Sequence, residues 1–190
     1  MDKTGPVNEK SVTGYSHLTR HLHIKDSPIQ GRGLFPEIDI KRGEVICEIV
    51  GERIQHEYAP ELAAENPNWI GTGYEEWLLL GPGDIAIYLN HSCNPNVIIN
   101  EKMELVAMRP IHANEELLLD YSTTELDPYW RMECSCGAKE CRKVLRSFQF
   151  LPDELRQRYG KYIAPAFTRV ADAMKANQFT PQATVSSDEK

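Results

Sequence analysis

The sequence predicts a mainly β protein with a helical C-terminal extension. Short apolar runs of three to six residues recur from about residue 18 to residue 119, each closed by Gly, Pro, Asn or Asp. That rhythm of short strands and tight turns marks a strand-rich fold. After about residue 147 the pattern changes, and apolar positions fall three and four apart, as on a helix.

The elements follow in order. Residues 1–16 are polar, carry Gly5, Pro6 and Gly14, and read as a flexible lead-in. Leu18 to Lys25 partly alternates, with Leu22 and Ile24 on one side and His21 and His23 on the solvent side. Gly31-Arg32-Gly33-Leu34-Phe35 follows a turn at Asp26-Ser27-Pro28. A second turn spans Asp39–Glu44. Val45 to Val50 reads as a buried strand that ends at Gly51-Glu52. Pro60 to Asn66 reads as one helical turn with Pro60 at its first position. Trp77–Leu80, Leu105–Met108 and Leu117–Leu119 read as further strands. A helix is expected to start at Pro152-Asp153-Glu154 and stop at Gly160. A second runs from Pro165 to about Ala176, with Phe167, Val170, Ala171 and Met174 on one face. The last residues, 177–190, read as a disordered tail.

Composition narrows the function. A chain of 190 residues can bury one good core. Its net charge of -7 disfavours direct nucleic-acid binding and suits a basic partner. No apolar run approaches the roughly 18 residues of a membrane span. The start of the chain lacks the apolar core of a secretory signal, so an intracellular protein is expected. Five cysteines are an odd number, and Cys134, Cys136 and Cys141 crowd together. That suits a metal in a reducing compartment better than disulfides.

Two stretches carry the chemistry. Asn90-His91-Ser92-Cys93-Asn94-Pro95-Asn96 lies between the apolar runs Ile85–Leu89 and Val97–Ile99. Its Asn-Pro step reads as a surface turn, but one rich in donors, acceptors and ligands. In Cys134-x-Cys136-x4-Cys141, Gly137 lets the chain fold back between thiols. Structural zinc takes four thiolate or imidazole ligands. Cys93 and Cys47 are the spare thiols. Cys93, in a polar turn, is the better fourth ligand. An iron–sulfur cluster is the other reading of the same thiols. Gly31-x-Gly33 serves a tight turn or a close backbone approach to a ligand. Tyr121 closes an apolar strand, where a tyrosine is commonly half-buried.

These motifs stand in one order: Gly31–Phe35, Asn90–Asn96, Glu116-Leu117-Leu118-Leu119-Asp120-Tyr121, then Cys134-x-Cys136-x4-Cys141. Over roughly residues 18–146 the chain resembles SET-domain protein lysine methyltransferases with a post-SET zinc segment. Glu48–Glu52 also resembles the family's strand ending in Gly-Glu.

The resemblance implies several small curved β-sheets, with Asn90–Asn96 and the Asp120-Tyr121 segment crossing as a pseudoknot. It divides the chain into a SET domain (17–128), a post-SET zinc segment (129–146), C-terminal helices (147–176) and the tail. It implies S-adenosylmethionine as methyl donor, held by Arg32, Gly33, Asn90, His91, Tyr121 and Trp130. Tyr121 would be the catalytic tyrosine. One structural zinc would sit on Cys93, Cys134, Cys136 and Cys141. The substrate would be a protein lysine, for which a basic histone-like tail fits Glu115, Glu116, Asp120, Glu125 and Asp127. Tyr74, Trp77, Tyr88, Tyr129 and Trp130 are candidate walls, with Trp130 and Tyr129 foremost.

Three departures stand out. Asp84 replaces the family's usual asparagine, Ile87 its usual arginine, and Leu119 the Phe or Tyr that influences how many methyls are added. Ile87 and Leu119 leave room for a second reading, a SET-fold binding module without catalysis.

Overall fold

The computed structural model describes residues 21–55, 68–73, 76–81 and 84–175. The lead-in, the Pro60–Asn66 turn, Tyr74 and the tail lie outside them. Among the described residues, five small sheets carry the fold. β1 (Leu22–Asp26) and β2 (Arg32–Pro36) form an antiparallel hairpin. β3 (Val45–Glu48) pairs with β9 (Glu104–Ala107), which pairs in turn with β8 (Val97–Ile99). β6 (Glu76–Leu80) is the centre of a third sheet, between β4 (Gly51–Gln55) and β5 (Trp69–Gly73). β7 (Asn90–His91) runs parallel to β10 (Leu118–Leu119). β11 (Arg131–Glu133) and β12 (Val144–Arg146) form a last hairpin. Two helices follow, α1 (Asp153–Tyr159) and α2 (Pro165–Lys175).

The mainly β expectation holds, and two local readings change. Gly51-Glu52 does not end a strand. The chain leaves β3 at Glu48 and starts β4 at Gly51. A Cβ on Gly51 would come within 2.4 Å of the Leu79 carbonyl, so the glycine admits the neighbouring strand. The second change is at Asn90–Asn96, which is no surface turn. His91, Ser92, Cys93 and Asn96 are buried and only Asn94 is exposed.

Side chains alternate across a strand, so β8 and β9 can serve two cores. Val97, Ile99, Leu105 and Ala107 face the main core with Leu34, Ile46 and Leu117. Ile98 and Val106 face a second core with Phe148, Tyr159 and Phe167. This explains the unbroken apolar run Val97-Ile98-Ile99, which is buried on both faces. α1 and α2 are the cover over that second face. Phe148 and Phe167 meet edge to face at 5.5 Å between ring centroids. α1 carries Asp153 and Glu154 in its first turn, where acidic groups oppose the helix dipole, and Gly160 at φ 49 ends it.

Candidate active site and metal cluster

The site is built where Asn90–Asn96 meets Glu116–Asp120. Besides the two-residue ladder, Ser92 N–H donates to Leu119 O (3.0 Å) and Asn96 N–H to Leu118 O (3.1 Å). The Asn96 side chain completes the join. Its Oδ1 accepts from Leu118 N–H (2.8 Å) and its Nδ2 donates to Glu116 O (2.8 Å). A buried amide supplying both a donor and an acceptor stands in for the ladder where the strands stop.

Next to this join, Asn90 gathers the Gly31–Gly33 turn. Its Nδ2 lies 3.1 Å from both Gln30 O and Arg32 O and 2.7 Å from Glu116 Oε1. The two glycines have different reasons to be there. Gly31 sits at φ 53 with nothing within 4 Å of where a Cβ would be, so its backbone is open to a ligand. Gly33 admits Glu116, whose Oε1 would lie 2.2 Å from a Cβ there. The Arg32 guanidinium lies over the Tyr88 ring, 5.5 Å from its centroid.

A cavity of about 230 Å³ opens on the other side of Tyr121. Leu89, Leu119, Tyr121, Trp130 and Met132 wall it on one side, and Trp69 and Ile70 on another. Glu125 also lines it. The Tyr121 hydroxyl donates to Leu89 O at 2.7 Å, and its backbone N–H donates to His91 Nδ1 at 3.3 Å. Burial, helped by the Glu116 charge, pushes the Tyr121 phenol up to about 12, so it stays protonated at neutral pH. Asp84 caps the 3-10 turn Ile85–Tyr88 through Ala86 N–H (2.8 Å), which sets Ile87 and Leu89 on the cavity wall.

The thiols gather behind the join. Cys93 Sγ lies 3.9 Å and Cys141 Sγ 3.7 Å from Cys134 Sγ. Cys93 N–H donates to Cys136 Sγ at 3.4 Å. A tetrahedral zinc with Zn–S near 2.3 Å requires sulfur–sulfur edges of about 3.8 Å. His91, Cys93, Cys134 and Cys136 offer ligand atoms that all lie within 4.8 Å of one another, so a His/Cys cluster able to hold a metal exists. Burial pushes the His91 imidazole down to about 4 against the opposing pull of Asp120, so the ring is neutral. Its Nδ1 accepts from Tyr121 N–H, which puts the single proton on Nε2, facing Cys93 Sγ at 3.4 Å. In that tautomer the His91 Nε2–H faces the Cys93 sulfur.

Comparison with known proteins places this geometry. The family model for the SET domain matches residues 31–122. The chain carries a SET domain. It is 31% identical over 137 residues to Histone-lysine N-methyltransferase trr of Drosophila melanogaster, which covers 65% of this chain and 6% of that protein. It is 33% identical over 157 residues to an H3 lysine-4 specific histone-lysine N-methyltransferase of Eremothecium gossypii, 72% of this chain and 16% of that one. The chain thus spans a small part of either relative. The crystal structure of KRYPTONITE in complex with mCHG DNA and SAH matches with a TM-score of 0.51 at 23% identity, over 65% of this chain and 28% of that chain. The mainly β SET fold is shared with it.

The residues expected to act together divide into three groups. Arg32, Gly33 and Asn90 stand at the glycine turn. Tyr121 and Trp130 share the cavity wall. Cys93, Cys134, Cys136 and Cys141 gather as a thiol cluster, and the His91 ring faces the Cys93 sulfur instead of the glycine turn. Two expectations are corrected. Tyr129 is 60% exposed, because its N–H is turned back to Asp127 Oδ1 and the ring is left outside. The acidic residues do not form a patch for a basic tail. Glu116, Asp120, Glu125 and Asp127 are all buried, each by a specific partner or turn. Glu115 is tied to Arg109.

Sequence reading missed Arg142 and Tyr159. Both reach Asp120, Arg142 through an ion pair and Tyr159 through its hydroxyl at 2.6 Å. Nothing in their local sequence points there. Arg142 follows Cys141 directly, and its side chain also donates to Cys93 Sγ (3.4 Å), so one arginine bridges the cluster and the join.

Proposed function

We propose that this SET domain transfers methyl groups from S-adenosylmethionine to a lysine side chain of a protein substrate. The supporting observation is the placement of Tyr121. Its hydroxyl is fixed on Leu89 O in the cavity wall, while its backbone is held by His91 beside the glycine turn and the metal cluster. The donor supplies a methyl on a cationic sulfonium. The open backbone at Gly31, with Arg32, Gly33, Asn90 and the His91 main chain, would hold it, with Tyr121 and Trp130 alongside.

The lysine must arrive and lose a proton. Its ordinary pKa is about 10.4. A cavity walled by Leu119, Tyr121, Trp130 and Met132 strips water from the amine and disfavours its charged form. The protonated Tyr121 hydroxyl and the Leu89 carbonyl are then dipoles that orient the nitrogen, and alignment of nucleophile and methyl supplies much of the acceleration. Ile87 and Leu119 keep this wall apolar, and the two departures from the family pattern leave its tyrosine in place. The relatives are named for histone lysines, and a histone tail is the substrate we propose to try first.

One structural zinc is proposed on Cys93, Cys134, Cys136 and Cys141, with His91 as the outer donor. No metal is needed for the transfer itself, and the ion ties the 129–146 segment to the join. Isothermal titration with S-adenosylmethionine, followed by transfer of its labelled methyl onto core histones and lysate proteins, tests the reading. Binding without transfer to any protein would favour the non-catalytic module instead.

A further inference from the structure

We infer that Glu125 is a catalytic residue of this cavity, its carboxylate meeting the ammonium of the incoming lysine and taking the proton that must leave before the nitrogen can attack. The inference rests on the methyl-transfer reading above. It adds a base that the motifs do not mark.

Glu125 is 8% exposed and lines the same cavity as Tyr121 and Trp130. It supplies the one carboxyl among the cavity's described lining residues. Asp127 N–H donates to Oε1 at 2.8 Å, which fixes the carboxyl. The Leu126 N–H is a second backbone donor to this carboxyl. A lysine ammonium entering an apolar cavity loses its hydration, and an unpaired charge there is costly. Glu125 is the group that offsets this.

The proton step balances simply. An N–H bond of the ammonium breaks, its electron pair stays on nitrogen as the lone pair, and an O–H bond forms on Glu125. The amine then accepts the methyl, and the Glu125 proton leaves to solvent before the next turnover. Tyr121, held protonated, cannot be this base. Asp127, on its own loop, is the titratable group that acts on Glu125, and Tyr121 lines the same cavity. The facing segments Asn68–Ile70 and Ala86–Leu89, with Leu80 and Met132, bring none to the wall. Burial, with the Asp127 charge, pushes the Glu125 carboxyl up to about 8, against the opposing Asp127 and Leu126 N–H groups. A base near the working pH both takes and releases a proton readily.

Two measurements test this. The first titrates n-butylammonium and its neutral isostere 1-butanol into wild-type and Glu125→Gln protein at pH 9. Wild type should prefer the ammonium by about tenfold or more. The variant should lose that preference and bind butanol as before, which also shows the cavity intact. The second follows methyl transfer onto core histones from pH 6 to 10. The variant should be at least about tenfold slower at pH 7.5, and the gap should close near pH 10, where solvent alone deprotonates lysine. Equal ammonium preference in both proteins, or a gap constant with pH, overturns the inference. Wild type that prefers the ammonium yet methylates no lysine overturns the methyl-transfer reading instead.

Discussion

Tyr121 and Glu125 sit four residues apart and line one cavity, yet burial sets them different tasks. The tyrosine is held as a donor to Leu89 O, and the carboxyl is raised toward neutrality. Tyr121→Phe removes one hydroxyl and little packing. Methyl transfer should fall by about 100-fold or more, since the nitrogen loses its orienting group, with S-adenosylmethionine affinity near wild type by titration. Full activity in that variant would remove Tyr121 from the chemistry. Glu125 also predicts a pH dependence of stability. Its folded pKa of about 8 stands above the 4.5 of the free side chain, so the folded state holds the proton more tightly. That contribution is fully present below about pH 4.5 and is lost as pH rises through 8. Thermal melts should show stability declining from pH 5 to 8.5, and the slope should flatten in Glu125→Gln. An unchanged slope would mean that solvent reaches the carboxyl.

At the scale of elements, the two-residue strands β7 and β10 are too short to hold each other alone. Asn96 and Asp120 do it for them. Asn96→Ala would leave Leu118 N–H and Glu116 O buried without partners, at about 1–3 kcal/mol each. A chemical-denaturation midpoint near wild type would show that the join is redundant. The C-terminal helices act on the same join from behind. Tyr159, 1% exposed, ends α1 with its hydroxyl on Asp120 Oδ2, and Arg142 holds Oδ1. Tyr159→Phe strands one carboxylate oxygen, and should cost about 1–3 kcal/mol in denaturant melts. The periodicity of Pro165–Lys175 showed a helix with one apolar face. It could not show that this face lies over Ile98 and Val106.

For the whole molecule, the thiol cluster ties the 129–146 segment to the join, and the zinc proposed there would clamp the two. Cys93→Ser should lower the zinc content measured by elemental analysis, and Cys141→Ser should do the same. Loss in His91→Ala, with Cys141→Ser unchanged, would make the imidazole the ligand in place of the Cys141 thiol. Chelation should lower the melting temperature and reduce transfer together, because Trp130 and Met132, which line the cavity, pack against the thiols.

Strand periods, turn residues and the cysteine spacing determined that the chain is mainly β, that helices close it and that three thiols crowd together with metal-ligand spacing. The order of motifs determined the SET family. These are properties of neighbours in sequence, and period, turn and ligand count express them directly. Tertiary structure alone decided that Asn90–Asn96 is buried, that His91 faces the thiols, and that Arg142 and Tyr159 converge on Asp120. It also decided that Glu125 is buried in the cavity lining rather than exposed to solvent. Each depends on which groups, 20 to 50 residues apart, are brought into one low-dielectric space. Burial then fixes hydrogen-bond partners and protonation, and no local pattern of residue types encodes it.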